Sequence, residues 1–260
     1  MQKTAIVIPC YNEALRLNTQ EFINSIRSNE HIDYIFVNDG STDGTQEKLT
    51  TLCSSHPMQM HCISLKKNSG KAEAVRKGVL RARELDFANI GYWDADLATP
   101  LSIIPRFCEL LDNNEITMVI GSRVKLLGRK IERRALRHYV GRVYATCASL
   151  VLNLPIYDTQ CGAKIFKNSK ELKIVFSKPF SVNWTFDVEI LARFIMLERF
   201  GGAKHLIESS IEYPLEEWKD VSGSKVKPVD FFMGIIELFK IFLFLSAPGA
   251  ERRFYKLFKD

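Results

Sequence analysis

The chain has 260 residues, 46% hydrophobic and 25% charged, which suits one large α/β domain, or one domain with a short appendage, and excludes a disordered or collagen-like chain. Its 36 Lys and Arg against 30 Asp and Glu leave a formal charge of +6, too mild an excess to suggest nucleic acid as a partner. The positive charge clusters between Arg123 and Arg142 and again after Glu251, which favours phosphates or an acidic membrane surface.

The six cysteines (Cys10, Cys53, Cys62, Cys108, Cys147 and Cys161) form no C-x-x-C pair and have no histidine at zinc spacing. Most lie in apolar runs, where a reduced thiol packs as a small hydrophobe. The apolar run Ala5–Ile8 is too short for a signal peptide and ends in Pro9, so a reducing, cytoplasmic setting is expected.

In chain order, short β-branched runs alternate with helical patterns. Strands are expected near Thr4–Ile8, Tyr34–Val37, His61–Leu65, Ile90–Trp93 and Met118–Ile120. Helices are expected between them near Thr19–Ser28, Gly44–Ser54, Lys71–Leu85 and Ile103–Asn113. Strands apolar throughout, separated by amphipathic helices, predict an α/β fold with a mostly parallel central sheet flanked by helices and joined by right-handed crossovers. After Gly121 the pattern changes. A basic stretch from Arg123 to Arg137 leads into a helix ending near Leu152, then a turn at Asp158–Gly162 and a short strand near Lys164–Phe166. Another helix begins near Phe186, a last strand covers His205–Tyr213, and Ser222–Pro228 reads as a loop. The expected organisation is one domain over 1–228, divided near 121, followed by a C-terminal amphipathic helix and a basic-aromatic tail over 229–260.

That last helix, Val229 to Leu245, is apolar over most of its circumference, with Asp230, Gly234 and Glu237 on one narrow stripe and Lys240 at its margin. A membrane span wants about 20 apolar residues without interruption, and two acids and a lysine interrupt this one. Two readings stand: a helix packed on its own domain, or a helix lying on a membrane surface. The Phe-rich face and the tail Arg252-Arg253-Phe254-Tyr255-Lys256-Leu257-Phe258-Lys259 favour the second.

Chemistry concentrates at four strand ends. Strand one runs into Pro9-Cys10-Tyr11-Asn12-Glu13 and strand two into Asn38-Asp39-Gly40-Ser41. Strand three is followed by Asn68-Ser69-Gly70-Lys71, and strand four by Asp94-Ala95-Asp96. In an open parallel sheet, ligands bind outside the carboxyl ends of the strands. Any one of these ends alone is an ordinary turn; four on the same edge point to a site. Asp94 and Asp96, spaced i, i+2 at a strand exit, direct both carboxylates to one side. Hard oxygen donors of this kind suit Mg2+ or Mn2+, although an Asp pair also suits the cap of a helix starting near Pro100. No G-x-G-x-x-G follows strand one and no P-loop is present, which excludes two common nucleotide cradles and disfavours a nucleotidyltransferase. A diphosphate bound without such a cradle needs a metal and cations, for which Lys71, Arg76 and Arg123 are available.

These residues resemble glycosyltransferase family 2, which has the GT-A fold. The resemblance rests on Ile6-Val7-Ile8-Pro9-Cys10-Tyr11-Asn12-Glu13, on Val37 through Thr45 with Asn38-Asp39-Gly40-Ser41, and on the D-x-D, in order and over about Lys3 to Val226. Asn68-Ser69-Gly70-Lys71 with Ala74, Arg76 and Gly78, Asp94 through Thr99, Gly121-Ser122-Arg123, Asp158 through Gly162 and Trp184 through Glu189 bring it nearest to polyprenyl-phosphate sugar transferases of the dolichyl-phosphate β-glucosyltransferase kind. The chain departs from the pattern at Asn38, where an Asp is frequent, and it shows none of the long hydrophobic anchors of many eukaryotic members.

The resemblance implies a nucleotide half over about 1–121 and an acceptor half over about 122–228. It implies that Pro9, Tyr11, Asn12 and Glu13 border the nucleobase and that Asp39 contacts base or ribose. Asn68 and Lys71 would lie near the nucleotide, and Asp94, Ala95 and Asp96 would carry the metal on the diphosphate. Arg123, with Arg133, Arg134 and Arg137, would grip an acceptor phosphate; Asp158, Gln160, Trp184 and Asp187 would line the sugar and acceptor side. The implied reaction is inverting transfer of a hexose from UDP-glucose or a similar donor to a polyprenyl phosphate, with Mg2+ or Mn2+, by a cytoplasmic protein peripheral to a membrane. A phosphate monoester, with its second pKa near 6, arrives mostly ionised and needs positive charge more than a base; a saccharide hydroxyl would need a carboxylate such as Asp187. Transfer to such a hydroxyl in cell-surface polysaccharide synthesis remains an alternative, as does a silent nucleotide-sugar-binding protein.

Overall fold

The apolar runs of the first half fold into short strands buried on both faces, except the third, Met60–Ser64, which is only partly covered. The computed structural model describes residues 1–132, 135–221 and 228–258, without the side chains of 135–138, 228–231 and 256–258. Contacts divide the chain into two units, Met1–Val119 with Gly162–Ser169, and Ile120–Cys161 with Lys170–Asp260.

In the first unit β1 (Thr4–Cys10), α1 (Thr19–Ser28), β2 (Ile32–Asn38), α2 (Thr45–Ser55), β3 (Met60–Ser64), α3 (Lys71–Glu84) and β4 (Asn89–Trp93) alternate as expected. A 3-10 turn at Leu101–Ile103 and α4 (Ile104–Leu111) precede β5 (Met118–Ser122), which leads into the second unit. β1 pairs in parallel with β2 and with β4, and β2 in parallel with β3. The registers bring Cys10 opposite Asn38 and Asn38 opposite Ser64, so the polar exits of three strands finish level on one edge. All seven residues of β2 and all five of β4 are buried, the mark of strands covered on both faces. The later strand β7 (Ala163–Lys167) returns to this unit and runs antiparallel to β4, Ala163 opposite Trp93. The strand order in this unit is β3-β2-β1-β4-β7.

The second unit holds β6 (Lys130–Glu132), α5 (Ala135–Leu152), α6 (Lys170–Ser177), α7 (Phe186–Gly201), α8 (Leu206–Ser209), β8 (Ser210–Pro214), β9 (Glu217–Lys219), α9 (Pro228–Ser246) and α10 (Ala250–Phe258). Several features depart from the sequence reading, among them β9 and the helix α10, which stands where only a basic-aromatic tail was expected. The basic stretch contains β6, which pairs in parallel with β9 and sets the buried Ile131 opposite the buried Trp218. The expected strand over His205–Tyr213 is α8 followed by β8. Its first part is helical because the Glu198 carboxylate accepts the Leu206 N–H at 3.0 Å and pairs with His205 Nδ1 at 2.7 Å, starting one helical turn. α6 was not expected.

The C-terminal helix is apolar on its outer face as well as on its inner one, and its buried face carries an acid. Gly234, Glu237, Leu238, Ile241 and Leu245 of α9 are buried, at the spacing of one helix face. Phe232 (65% exposed), Ile235 (62%) and Phe239 (59%) stand outward, with Met233, Ile236, Phe242 and Leu243 also exposed. The Gly234–Glu237 part of the polar stripe therefore faces the protein; the side chain of Asp230 lies outside the described residues. α9 packs on α5 and α7, and α10 on α7 and α9. Arg253 of α10 donates to the carbonyls of Leu243, Phe244 and Ala247, closing the end of α9. Among the described residues no helix is long and apolar enough to cross a membrane.

Candidate active site

In the first unit the strand exits are tied to one another by side chains. Asn12, in a left-handed conformation (φ +50°), accepts the Thr42 N–H at 2.9 Å and donates its own N–H to Ser41 Oγ at 3.0 Å. The Glu13 N–H reaches Thr45 Oγ1 at 2.8 Å, and the Glu13 carboxylate holds Arg16 at 2.6 and 2.9 Å. The loop after β1 is thereby pinned to the loop after β2, with Pro9 and Tyr11 half-buried beside it. Asp39 pins the next loop. Its two oxygens accept the N–H groups of Ser69 at 2.7 Å and Gly70 at 2.9 Å, and burial raises its pKa above the ordinary carboxylate value. Asn68 accepts the Gly70 N–H as well, at 3.0 Å. Asp39 and Asn68 thus brace the turn that delivers Lys71 to the start of α3.

Lys71 Nζ lies 2.5 Å from Asp94 Oδ1 at the exit of β4. Asp94 is held on its other side by Gly162, whose carbonyl accepts the Asp94 N–H at 3.1 Å. A Cβ on Gly162 would sit 1.9 Å from Asp94 Oδ2, so the carboxylate occupies room that only glycine leaves. Asp96 Oδ1 accepts the Ala98 N–H at 3.1 Å. The 3-10 turn that begins at Leu101 has no side-chain cap, which removes the helix-capping explanation of the Asp pair. Burial and then the charge of Asp94 raise the Asp96 pKa. This donor set fits a hard divalent ion: two carboxylates, one bearing charge that its surroundings leave undercompensated. Among the described residues no group of three or more His, Cys, Asp or Glu is poised for a metal, so substrate oxygens and water would complete the shell. Arg76, expected at the diphosphate, is buried and committed to Glu73 in its own helix, at 2.7 and 2.8 Å.

In the second unit Arg123, at the end of β5, meets Asp158 in a two-pronged pair, Nε–Oδ2 2.6 Å and Nη2–Oδ1 2.7 Å. The guanidinium carbon stands 5.5 Å from the ring centre of Trp218. Glu212 of β8 accepts the N–H groups of Tyr157 at 2.8 Å and Asp158 at 2.7 Å, which fixes the carboxylate that fixes the arginine. A small cleft here is lined by Arg123, Arg142, Tyr144, Tyr157, Thr159 and Gln160 among others. Arg142 donates to the Tyr157 carbonyl at 2.7 Å and lies 3.3 Å over the Tyr157 ring. The Thr159 hydroxyl is buried without a hydrogen-bond partner among the described residues. Gln160 Nε2 reaches the Trp184 carbonyl at 3.5 Å. The Trp184 indole packs edge-on to Tyr144, centroids 5.2 Å apart. Asp187 is buried in the first turn of α7. Arg133 and Arg134, with the side chain of Arg137, lie outside the described residues. Arg142, Tyr144 and Glu212 were not singled out by the sequence; only the extent of the basic cluster marked Arg142.

Comparison with known proteins is consistent with this geometry. The family model described as Glycosyl transferase family 2 matches residues 5–174. A dolichyl-phosphate beta-glucosyltransferase of Trichomonas vaginalis is 30% identical over 259 residues, covering 94% of this chain and 72% of the relative. The dolichyl-phosphate beta-glucosyltransferase of Saccharomyces cerevisiae is 30% identical over 243 residues, covering 85% of this chain and 68% of the relative. Among solved structures, glucosyl-3-phosphoglycerate synthase from Mycobacterium tuberculosis in complex with Mn2+ and uridine-diphosphate-glucose superposes with a TM-score of 0.64 at 17% identity, over 95% of this chain and 81% of that one. The fold is the GT-A α/β fold, and the chain belongs to glycosyl transferase family 2: it is a glycosyltransferase similar to the dolichyl-phosphate beta-glucosyltransferases.

Proposed function

We propose that this chain moves glucose, or a closely similar hexose, from a UDP-sugar to the phosphate of a polyprenyl phosphate, with inversion, at the cytoplasmic face of a membrane. The observation that carries the donor side is the exit of β4, where Asp94, tied to Lys71, and the charge-burdened Asp96 stand beside the braced turns after β1, β2 and β3. Asp94 and Asp96 would hold Mg2+ or Mn2+ on the diphosphate. Such an ion, when bound, supplies Lewis-acid stabilisation to the departing phosphate oxygens. Pro9, Tyr11, Asn12 and Glu13 border the base pocket, and Lys71 adds positive charge next to the leaving group. The bond from the anomeric carbon to the UDP oxygen breaks as the bond to the acceptor phosphate oxygen forms, and UDP leaves with the electron pair.

The acceptor phosphate is already ionised at neutral pH, so the second unit has to attract and orient it. Arg123, with Arg142 beside it and Arg133, Arg134 and Arg137 from the same basic stretch, provides the charge. Asp158 and Gln160 shape the cleft, and Asp187 holds a sugar hydroxyl or takes a proton where the acceptor is itself a hydroxyl. The outward apolar side chains of α9 suit a membrane surface, where a polyprenyl chain lies. The relatives named dolichyl-phosphate beta-glucosyltransferase favour this acceptor over a saccharide hydroxyl.

A donor screen with a short polyprenyl phosphate and Mg2+ or Mn2+, read as lipid-linked sugar, tests the reading. UDP-glucose is the expected donor, and Asp96→Ala is expected to abolish metal-dependent turnover. Sugar appearing on a saccharide and never on the lipid phosphate would overturn the acceptor assignment.

A further inference from the structure

Glu237 is a carboxylate in the middle of the most apolar helix of the chain, and it is 6% exposed. It belongs to α9, yet its hydrogen bonds all leave that helix. Oε1 accepts the Asn183 N–H at 3.1 Å, while Oε2 accepts the N–H groups of Trp184 at 3.1 Å and Thr185 at 2.9 Å, and the Thr185 hydroxyl at 2.9 Å. Thr185 is the N-cap residue of α7, and its own side chain makes no cap bond there. The two preceding amides are held in the same way from inside α7, where Glu189 accepts the N–H groups of Ser181 at 2.8 Å and Val182 at 3.1 Å. Consecutive amides from Ser181 to Thr185 are therefore all clasped by two carboxylates. One turn before Glu237, Gly234 lets the Trp184 ring approach; a Cβ there would stand 2.5 Å from its Cζ3.

The clasped segment leads directly to Asp187, and its Trp184 carbonyl receives Gln160. On the opposite side of α9 stand Phe232, Ile235, Phe239 and Phe242, all exposed. We propose that Glu237 is a positioning residue for acceptor use: the helix that faces the lipid holds, through this carboxylate, the segment that sets Trp184, Gln160 and Asp187. The proposal rests on the lipid-phosphate reading for its substrate, whereas the clasp itself does not. A carboxylate is required because four donors converge on it. A glutamine offers one oxygen and turns an NH2 toward N–H groups, leaving at least one buried donor unpaired.

The test uses the full chain on vesicles carrying polyprenyl phosphate. Glu237→Gln is expected to lower kcat for lipid transfer by about 10- to 100-fold, the scale of a misplacement near 1 Å, with UDP-sugar affinity unchanged. Gly234→Ala, which pushes on Trp184 and keeps the carboxylate, is expected to shift the same parameter in the same direction, and Glu237→Asp to fall between parent and Gln. The emission of Trp184, isolated by difference from Trp184→Phe, is expected to move to the red in Glu237→Gln. Transfer kinetics and difference spectrum matching the parent would overturn the proposal, as would loss of donor affinity in step with kcat. If Glu237→Gln does not fold, Gly234→Ala and Glu237→Asp decide by the same split. A parent that makes no lipid product defeats the acceptor assignment instead, and the Trp184 spectrum still reports on the clasp.

Discussion

Gly162→Ala probes the centre of the proposed donor site without altering either proposed metal ligand. The new methyl would stand 1.9 Å from Asp94 Oδ2 and 2.2 Å from Asp94 Cγ, about 1.5 Å inside ordinary contact. The backbone has little freedom to relieve it, because the Asp94 N–H is bonded to the Gly162 carbonyl at 3.1 Å and Ala163 is paired with Trp93. The Asp94 carboxylate must swing away and leave Lys71. Crowding of this kind costs about 1–3 kcal/mol, and the lost ion pair, both partners being more than a third exposed, adds less than about 1 kcal/mol. The larger effect falls on the metal: an ill-placed ligand weakens affinity by about 10- to 100-fold. Urea unfolding gives the first quantity, and turnover titrated with Mn2+ gives the second. The expected outcome is a modest loss of stability with a Mn2+ midpoint raised at least tenfold. A variant destabilised as calculated but with the parental Mn2+ midpoint would refute the placement of the ion at Asp94.

Arg123→Ala leaves the Asp158 carboxylate without its bidentate partner, and for a pair this little exposed a stability loss of about 3 kcal/mol is expected. At temperatures where it remains folded, lipid transfer should fall far more than donor hydrolysis; equal losses would argue against a phosphate-gripping role. The Arg76 guanidinium, hydrogen-bonded to Glu73, holds that carboxyl below its ordinary range. Its contribution is therefore present above the unfolded value of about 4.3 and is lost as pH falls through the lower folded value. Urea midpoints measured from about pH 6 down to about pH 3 should fall less steeply in Glu73→Gln than in the parent, and parallel curves would contradict the pairing. Replacing Phe239 and Phe242 together by Ser should reduce sedimentation with anionic vesicles while sparing UDP-sugar affinity. Undiminished vesicle binding would remove α9 from the membrane contact.

The edge of strand exits was legible because its logic is local. Short apolar runs with Asn, Asp or Gly at or soon after their ends announce strands with polar exits: β2 ends on Asn38 and β4 one residue before Asp94, while β1 ends two residues before Asn12 and β3 four before Asn68. What could not be read is which of these side chains bond to one another. Asp39 reads as a ligand-facing acid, yet both its oxygens are engaged by amides 30 and 31 residues later. Arg123 and Asp158 are 35 residues apart and were expected as separate contacts, although they form one unit. β6 and β9 are three residues each, too short for alternation to register. For α9 the periodicity identified the polar stripe but not its direction, since a lone glutamate on an apolar helix means opposite things with and without a buried set of donors.

The start of α7 carries a further consequence. A helix N-terminus with free amides is a natural phosphate receptor, because its N–H groups and dipole both favour an anion. Here the three amides that lead into α7, Asn183 to Thr185, already hold an internal anion, the Glu237 carboxylate. An incoming phosphate would find these backbone donors taken and a negative charge in front of them. For the acceptor phosphate proposed above, this leaves the guanidinium groups of Arg123 and Arg142, which would make recognition sensitive to arginine-to-lysine exchange and give it a planar, two-point geometry that a helix terminus does not impose.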